Sequence, residues 1–220
     1  MKARGRFLTL EGGEGAGKSA QARRLVAQLA GFGIETVATR EPGGTPHAEH
    51  LRELILSGAL RSLGPAAEAI AFSAARIDHI DALIAPALER GAWVVSDRFA
   101  DSTRAYQGAA GQLDPDFIAR LERVTVGERR PDLTLVLDLP PEKGLARAAA
   151  RRGADSGADR FESEGLEFHR TLREAFLGLA RAEPQRCVVI DASADEATVA
   201  ETVWTAVRQR LGAFLLEATP

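Results

Sequence analysis

Residues Gly12-Gly13-Glu14-Gly15-Ala16-Gly17-Lys18-Ser19 carry the spacing G-x-x-x-x-G-K-[ST], with the apolar run Phe7-Leu8-Thr9-Leu10 before them and a helical pattern after. That is the strand–loop–helix setting a P-loop requires. Glycines let the backbone wrap closely around a polyphosphate with successive N–H groups turned inward, and the helix N-terminus adds its partial positive charge. Lys18 is expected to reach the β- and γ-phosphates and the Ser19 hydroxyl to ligate Mg²⁺. Glu14 sits awkwardly in such a loop, because a carboxylate facing a polyphosphate is repelled. It either points away or meets an arginine.

Three further constellations could handle phosphate. Thr39-Arg40-Glu41-Pro42-Gly43-Gly44-Thr45 follows a second apolar run, and Ser96-Asp97-Arg98-Phe99 closes a third. In parallel sheets ligands gather beyond the carboxyl ends of strands, which is where both segments fall. Asp97 there is suited to hold Mg²⁺ or its waters, and Arg98 to fork across the phosphates of donor and acceptor. Arg147, Arg151 and Arg152 lead into a small, polar, glycine-containing stretch that ends at Arg160. At that position a closing lid would bring an arginine to a transferring phosphoryl group.

Positioning these residues takes a regular frame. Five apolar runs, Arg6–Glu11, Ile34–Thr39, Ala92–Ser96, Leu133–Asp138 and Cys187–Asp191, are rich in Val, Leu and Ile without alternation, as in strands covered on both faces. Patterns of period near 3.6 lie between them: Leu25, Val26 and Leu29; Ile70, Ala74, Ile77, Ile84 and Leu88 along a long helix from about Pro65 to Arg90; and Val199, Val203, Val207, Leu211 and Phe214. The expectation is an α/β three-layer P-loop fold: a five-stranded parallel sheet flanked by helices, with a mobile lid over about 147–160, all in one domain. At 220 residues the chain is long enough to bury a core without disulfides, and its single cysteine, Cys187, excludes an intramolecular one. His47, His50, His79 and His169 show no metal-ligand spacing and read as structural or solvated. The net charge of −3 argues against bulk binding to nucleic acid. No apolar stretch is long enough for a membrane span or signal peptide, so a cytoplasmic protein is expected. Only Lys2, Lys18 and Lys143 are lysines among 28 basic residues, so the loop position holds one of three.

The P-loop alone does not separate kinases from GTPases, motors or transporters. Asn-Lys-x-Asp and Asp-x-x-Gly, the guanine- and γ-phosphate-sensing patterns of switch GTPases, do not occur. Taken together, Glu11–Ser19, Thr39–Thr45, the run Asp97-Arg98-Phe99-Ala100-Asp101-Ser102-Thr103-Arg104-Ala105-Tyr106-Gln107-Gly108 and the arginine-rich lid resemble the thymidylate kinase family, in the bacterial form that pairs an acidic P-loop residue with a basic lid. The resemblance implies ATP and dTMP as substrates, Mg²⁺ as cofactor and a homodimer. It implies that Gly12 to Ser19 bind ATP, and that Lys18, Arg98 and the lid arginines Arg147, Arg151 and Arg152 act in catalysis. Arg40 would bind the acceptor phosphate. Glu11 and Glu41 would lie near the acceptor sugar, phosphate and Mg²⁺ shell, Tyr106 would pack by the sugar and exclude a 2′-hydroxyl, and Ser102 and Gln107 would line the base pocket. Phe72, Arg76 and His79 share one helix face, opposite Ile70, Ile77 and Ile84, which are expected to face the core. That face suits a planar base: Phe72 stacks and Arg76 donates to a ring carbonyl, favouring thymine or uracil over cytosine. A kinase for another nucleoside monophosphate, or a nucleotide-dependent switch or binding module, are the alternatives.

Overall fold

The computed structural model describes residues 4–152 and 160–218. Five strands, β1 (Phe7–Glu11), β2 (Thr36–Arg40), β3 (Trp93–Asp97), β4 (Leu133–Asp138) and β5 (Cys187–Asp191), form one parallel sheet in the order β2-β3-β1-β4-β5. The runs expected as strands are these strands, shifted by one or two residues at β1, β2 and β3. The shift has a consequence: Arg40 and Asp97 become the last residues of their strands, in register with each other, at the edge where the loops begin.

Chain order then gives helices α1 (Lys18–Gly31), α2 (Pro46–Leu56), α3 (Pro65–His79), α4 (Ala85–Glu89), α5 (Ala100–Thr103), α6 (Pro115–Thr125), α7 (Pro141–Arg152), α8 (Leu166–Ala182) and α9 (Glu196–Ala218). Central β1 is buried throughout and feeds both layers. Leu8 and Leu10 pack with Leu25 and Leu29 of α1 and Val203, Val207 and Leu211 of α9. Phe7 turns to the opposite layer, where it meets Ile84, Leu88, Val94 and Phe99. Glu11, two pleats on from Phe7, points the same way. Among the described residues no helix is long and apolar enough to cross a membrane, and Cys187 is a buried free thiol.

One expected face is corrected. Ile70 and Ile77, read as core, are 55% and 41% exposed, and Ala74 between them is exposed as well. The inner face of α3 is instead Glu68, Ala69, Ser73, Ala75, Arg76 and His79. Ile84 and Leu88 are fully buried as expected. The cause is the wide helical turn Ile80–Ile84 that joins α3 to α4. Wider turns take more residues per revolution, so the stripe changes direction as it crosses them. Periodicity finds a stripe, and the turn decides which half of it is covered.

The P-loop and α7 approach backbone to backbone. A Cβ added at Gly144 would stand 2.2 Å from the Glu14 carbonyl oxygen, and one at Gly15, whose φ is +67°, 2.0 Å from the Gly144 carbonyl oxygen. Neither side can yield by rotating a side chain. Gly144→Ala is therefore expected to lower stability by about 1–3 kcal/mol and to raise the KM for ATP, read by urea denaturation and steady-state rates. An unchanged protein on both counts would show that the contact carries no weight.

Candidate active site

The carboxyl ends of β1, β2 and β3 open onto a cavity of about 480 Å³, within the range of small-ligand sites. Its P-loop wall takes its shape from left-handed backbone at Gly12, Gly15 and Gly17, with φ of 134°, 67° and 90°; Gly17 is the N-cap of α1. Lys18 is buried and donates from Nζ to the carbonyls of Gly13 (2.7 Å) and Gly12 (3.2 Å). Burial, then the charge of Arg98, lowers its pKa to about 8, against partial support from Glu14, Asp97 and Glu11. The Ser19 hydroxyl donates to the Asp97 carboxylate, so the two expected metal ligands are neighbours.

Arg98 is one of two non-glycine residues described at positive φ, +74°, a strain of about 1–3 kcal/mol. Three bonds hold it there. Its N–H donates to the Leu10 carbonyl (3.0 Å), its carbonyl accepts from Ser96 Oγ (2.7 Å), and the next amide, Phe99 N–H, donates to Glu11 Oε1 (2.7 Å). The guanidinium then reaches the Gly12 carbonyl (3.1 Å), Ser102 Oγ (3.2 Å) and Glu14 Oε1 (2.7 Å). Of the two readings of Glu14, the structure shows the arginine partner. The Tyr106 hydroxyl donates to the same carboxylate oxygen at 2.6 Å. Burial acts to raise the Glu14 pKa, but Arg98 and Lys18 overcome it and bring it down to about 2.

Other expected residues divide by position. Arg40, Glu41, Phe72, Arg76, Ser102 and Tyr106 lie on the cavity wall. Arg40 is half-exposed and holds both oxygens of Glu49 at 3.0 Å. Phe72 leans toward Phe161, ring centroids 6.1 Å apart. Glu11 is fully buried beneath the wall, accepting from Phe99 N–H and Ser102 Oγ; it lies under the loop and not in the cavity. Gln107 is likewise buried, off the wall, with Nε2 unpartnered. Both lie on surfaces that turn inward from the ligand side.

The lid arginines separate in the same way. Arg151 is on the cavity wall, 66% exposed and 3.6 Å from Glu162. Arg147, one turn earlier on the same face of α7, does not line the cavity; it donates to the carbonyls of Ala192 (3.0 Å) and Ser193 (3.4 Å), just after β5. Arg160 pairs with Glu68 at 3.0 Å and with Glu164. The Arg152 side chain and the lid residues 153–159 lie outside the described residues.

The sequence reading missed Arg23, Arg52, Phe161 and Glu162, all on the cavity wall. Arg23 had a signal: it follows Ser19 by four residues and shares its helix face. Arg52, which donates to the Pro42 carbonyl at 2.7 Å, and Phe161 had none, since their place depends on packing between α2, α3 and the chain after the lid.

The family model described as thymidylate kinase matches residues 10–203. A thymidylate kinase of Bradyrhizobium diazoefficiens is 56% identical over 208 residues, covering 94% of this chain and 91% of the relative. One of Afipia carboxidovorans is 54% identical over 212 residues, covering 96% and 92%. The crystal structure of thymidylate kinase from Ehrlichia chaffeensis matches with a TM-score of 0.75 at 30% identity, covering 93% of this chain and 99% of that one.

The buried Glu11 generates a test. Burial, then the charge of Asp101, pushes its pKa from 4.5 up to about 8. Between these values the folded protein holds a proton that the unfolded chain has released, so stability falls as pH rises through that window. Glu11→Gln keeps an acceptor for Phe99 N–H and does not titrate. Its stability advantage over the parent is expected to grow by a few kcal/mol between about pH 5 and about pH 8, measured by urea denaturation. A difference independent of pH would show that Glu11 is ionised throughout.

Proposed function

The chain belongs to the thymidylate kinase family, and we propose how its cavity carries out the reaction of that family, transfer of a phosphoryl group from ATP to dTMP to give dTDP and ADP. One observation carries the assignment of roles: a single cavity brings together Lys18 of the P-loop, Asp97-Arg98 at the end of β3, and the aromatic-plus-arginine face of Phe72 and Arg76. The first two handle phosphate and the third suits a planar base.

The acceptor is a phosphate monoester, already ionised at neutral pH, so the chain needs no strong general base. Its work is positioning and charge neutralisation. The P-loop amides and Lys18 hold the donor phosphates. Arg98, fixed between Gly12, Glu14 and Ser102, spans donor and acceptor, and Arg40 takes the acceptor phosphate. Phe72 stacks on the base, Arg76 donates to its carbonyl, and Tyr106, anchored on Glu14, borders the sugar. Of the lid set, Arg151 is the one we assign to the transferring group.

The oxygen set fits Mg²⁺. Ser19 hydroxyl and Asp97 carboxylate are adjacent, two hard oxygen donors that suit an ion keeping waters and substrate phosphates as its other ligands. When bound, it would neutralise phosphate charge. The exposed apolar face of α3, Ile70, Ala74 and Ile77, supports a homodimer in which a second copy covers it. We place the protein in the cytoplasm and treat the chain as one catalytic domain.

ADP release with a panel of nucleoside monophosphates checks the substrate, with dTMP expected to be preferred; preference for a cytosine or purine monophosphate would overturn the assignment of Phe72 and Arg76. For the dimer, Ile70→Glu with Ile77→Glu is expected to convert the protein to monomer in sedimentation velocity. Persistence of a dimer would place the interface elsewhere.

A further inference from the structure

His79, expected to be structural or solvated, has no exposed surface, like Glu11 beneath the cavity wall. It does not line the cavity. It stands one step behind Arg76, through Glu41. Glu41 Oε2 accepts from Arg76 Nε at 2.8 Å, and Oε1 contacts His79 Nδ1 at 3.0 Å. The other imidazole nitrogen, Nε2, meets Thr39 Oγ1 at 2.7 Å. One tautomer satisfies every contact: Nδ1–H donates to the carboxylate and Nε2 accepts the threonine hydroxyl. Arg76 and Glu41 side chains are 3% and 4% exposed.

A guanidinium has five N–H groups in a fixed plane. In Arg76 the Nε–H goes to Glu41, and Nη2 serves both the Phe99 carbonyl (3.3 Å) and Thr103 Oγ1 (3.0 Å). Among the described residues these bonds leave out Nη1, on a residue that lines the cavity. So the protein consumes three of five hydrogens and leaves one edge for a ligand. Which edge remains depends on where the Glu41 carboxylate points. That direction is set by His79, and the imidazole itself cannot swing: a Cβ at Gly44 would stand 2.6 Å from Nε2 and 2.5 Å from Thr39 Oγ1, so the backbone after β2 is packed directly on the pair.

We propose that His79 is a positioning residue for base selection: acting through Glu41, it holds Arg76 so that Nη1 alone is presented to the carbonyl of the base. The inference rests on the assignment of Arg76 to the base made above. Without the imidazole, Glu41 Oε1 loses its donor and the buried carboxylate turns to satisfy itself on the guanidinium. The donor edge then no longer faces the base, while the P-loop and the donor-nucleotide side stay as they are. A site built to hydrogen-bond a ligand group loses discrimination when its donor is displaced.

The test compares His79→Leu, His79→Asn, Arg76→Met and the double variant His79→Leu/Arg76→Met, with dTMP and dCMP as acceptors. For His79→Leu the expected result is a KM for dTMP raised about tenfold, a smaller preference for dTMP over dCMP, and an unchanged KM for ATP. His79→Asn, which keeps a donor toward Glu41, is expected to recover most of the loss. The double variant is expected to be no worse than Arg76→Met alone, because both changes act on one contact. A folded His79→Leu with a KM for dTMP within about twofold of the parent, or losses that add in the double variant, would overturn the inference. If His79→Leu does not fold, Thr39→Val, which removes only the outer bond, replaces it, with a smaller rise in the same KM expected and no rise counting against the proposal. If Arg76→Met itself leaves dTMP binding unaltered, the base assignment fails; if Arg76→Met weakens it and His79→Leu does not, only the role of His79 fails.

Discussion

The ion pair between Arg98 and Glu14 is the constraint on which the rest of the site depends. Two cations, Lys18 and Arg98, are buried within reach of one loop, and each disfavours the other. The sequence makes Glu14 look misplaced among phosphate-binding residues. In the folded chain it is the counter-charge that lets both cations stay in position before any phosphate arrives. Removing charges from water costs several kcal/mol per ion unless partners replace the solvent, and here the partners come from the loop itself, from Tyr106 and from Ser102. The left-handed backbone of Arg98 belongs to the same arrangement. Strain of that kind persists where surroundings over-determine it, and the bonds from Leu10, Ser96 and Glu11 do so.

Beneath this pair runs a second layer of buried charge. Glu11 faces the field of Asp101, and Asp101 is held bidentately by Arg186 at 2.7 and 2.8 Å. Arg186 also bonds Thr134 at 2.7 Å, and Thr134 bonds Thr9 on the central strand at 2.8 Å. A polar thread therefore runs from the middle of the sheet, at Thr9 and Thr134, to Asp101 behind the edge that meets the cavity. Hydrogen bonds with fixed directions locate loops in a way apolar packing does not. Glu11 belongs to this layer: it shapes the loop that carries Arg98 from below.

Much of this was legible in the sequence, for identifiable reasons. The P-loop is written in contiguous residues whose glycines have one use. The apolar runs locate all five strands, but only β1, β3 and β4 are covered on both faces as expected; at the sheet edges β2 has no buried residue and β5 is partly exposed. The direction of Glu14 could not be read, since its partner lies 84 positions away. The outer face of α3 was misassigned because a wide turn downstream redirects the stripe. Arg147 and Arg151 look equivalent on a helical wheel, and only the tertiary fold gives them different neighbours, the carbonyls after β5 for the first and Glu162 for the second. The role of His79 gave no signal because its partners, Thr39 in β2 and Glu41 just after it, are about 40 positions away in the chain.

The mutual approach of Gly15 and Gly144 makes α7 a lever. Its fulcrum is main chain against main chain at the P-loop, and Arg151 rides seven residues further along, about 10 Å away at 1.5 Å per residue. A tilt of about 6° at the fulcrum carries that arginine through about 1 Å, a displacement large enough to matter for alignment with a reacting phosphoryl group. Because no side chain sits at the fulcrum, rotamer changes cannot absorb the motion. A shift of the P-loop backbone at Gly15 would meet the main chain of α7 at Gly144 with no side chain between them.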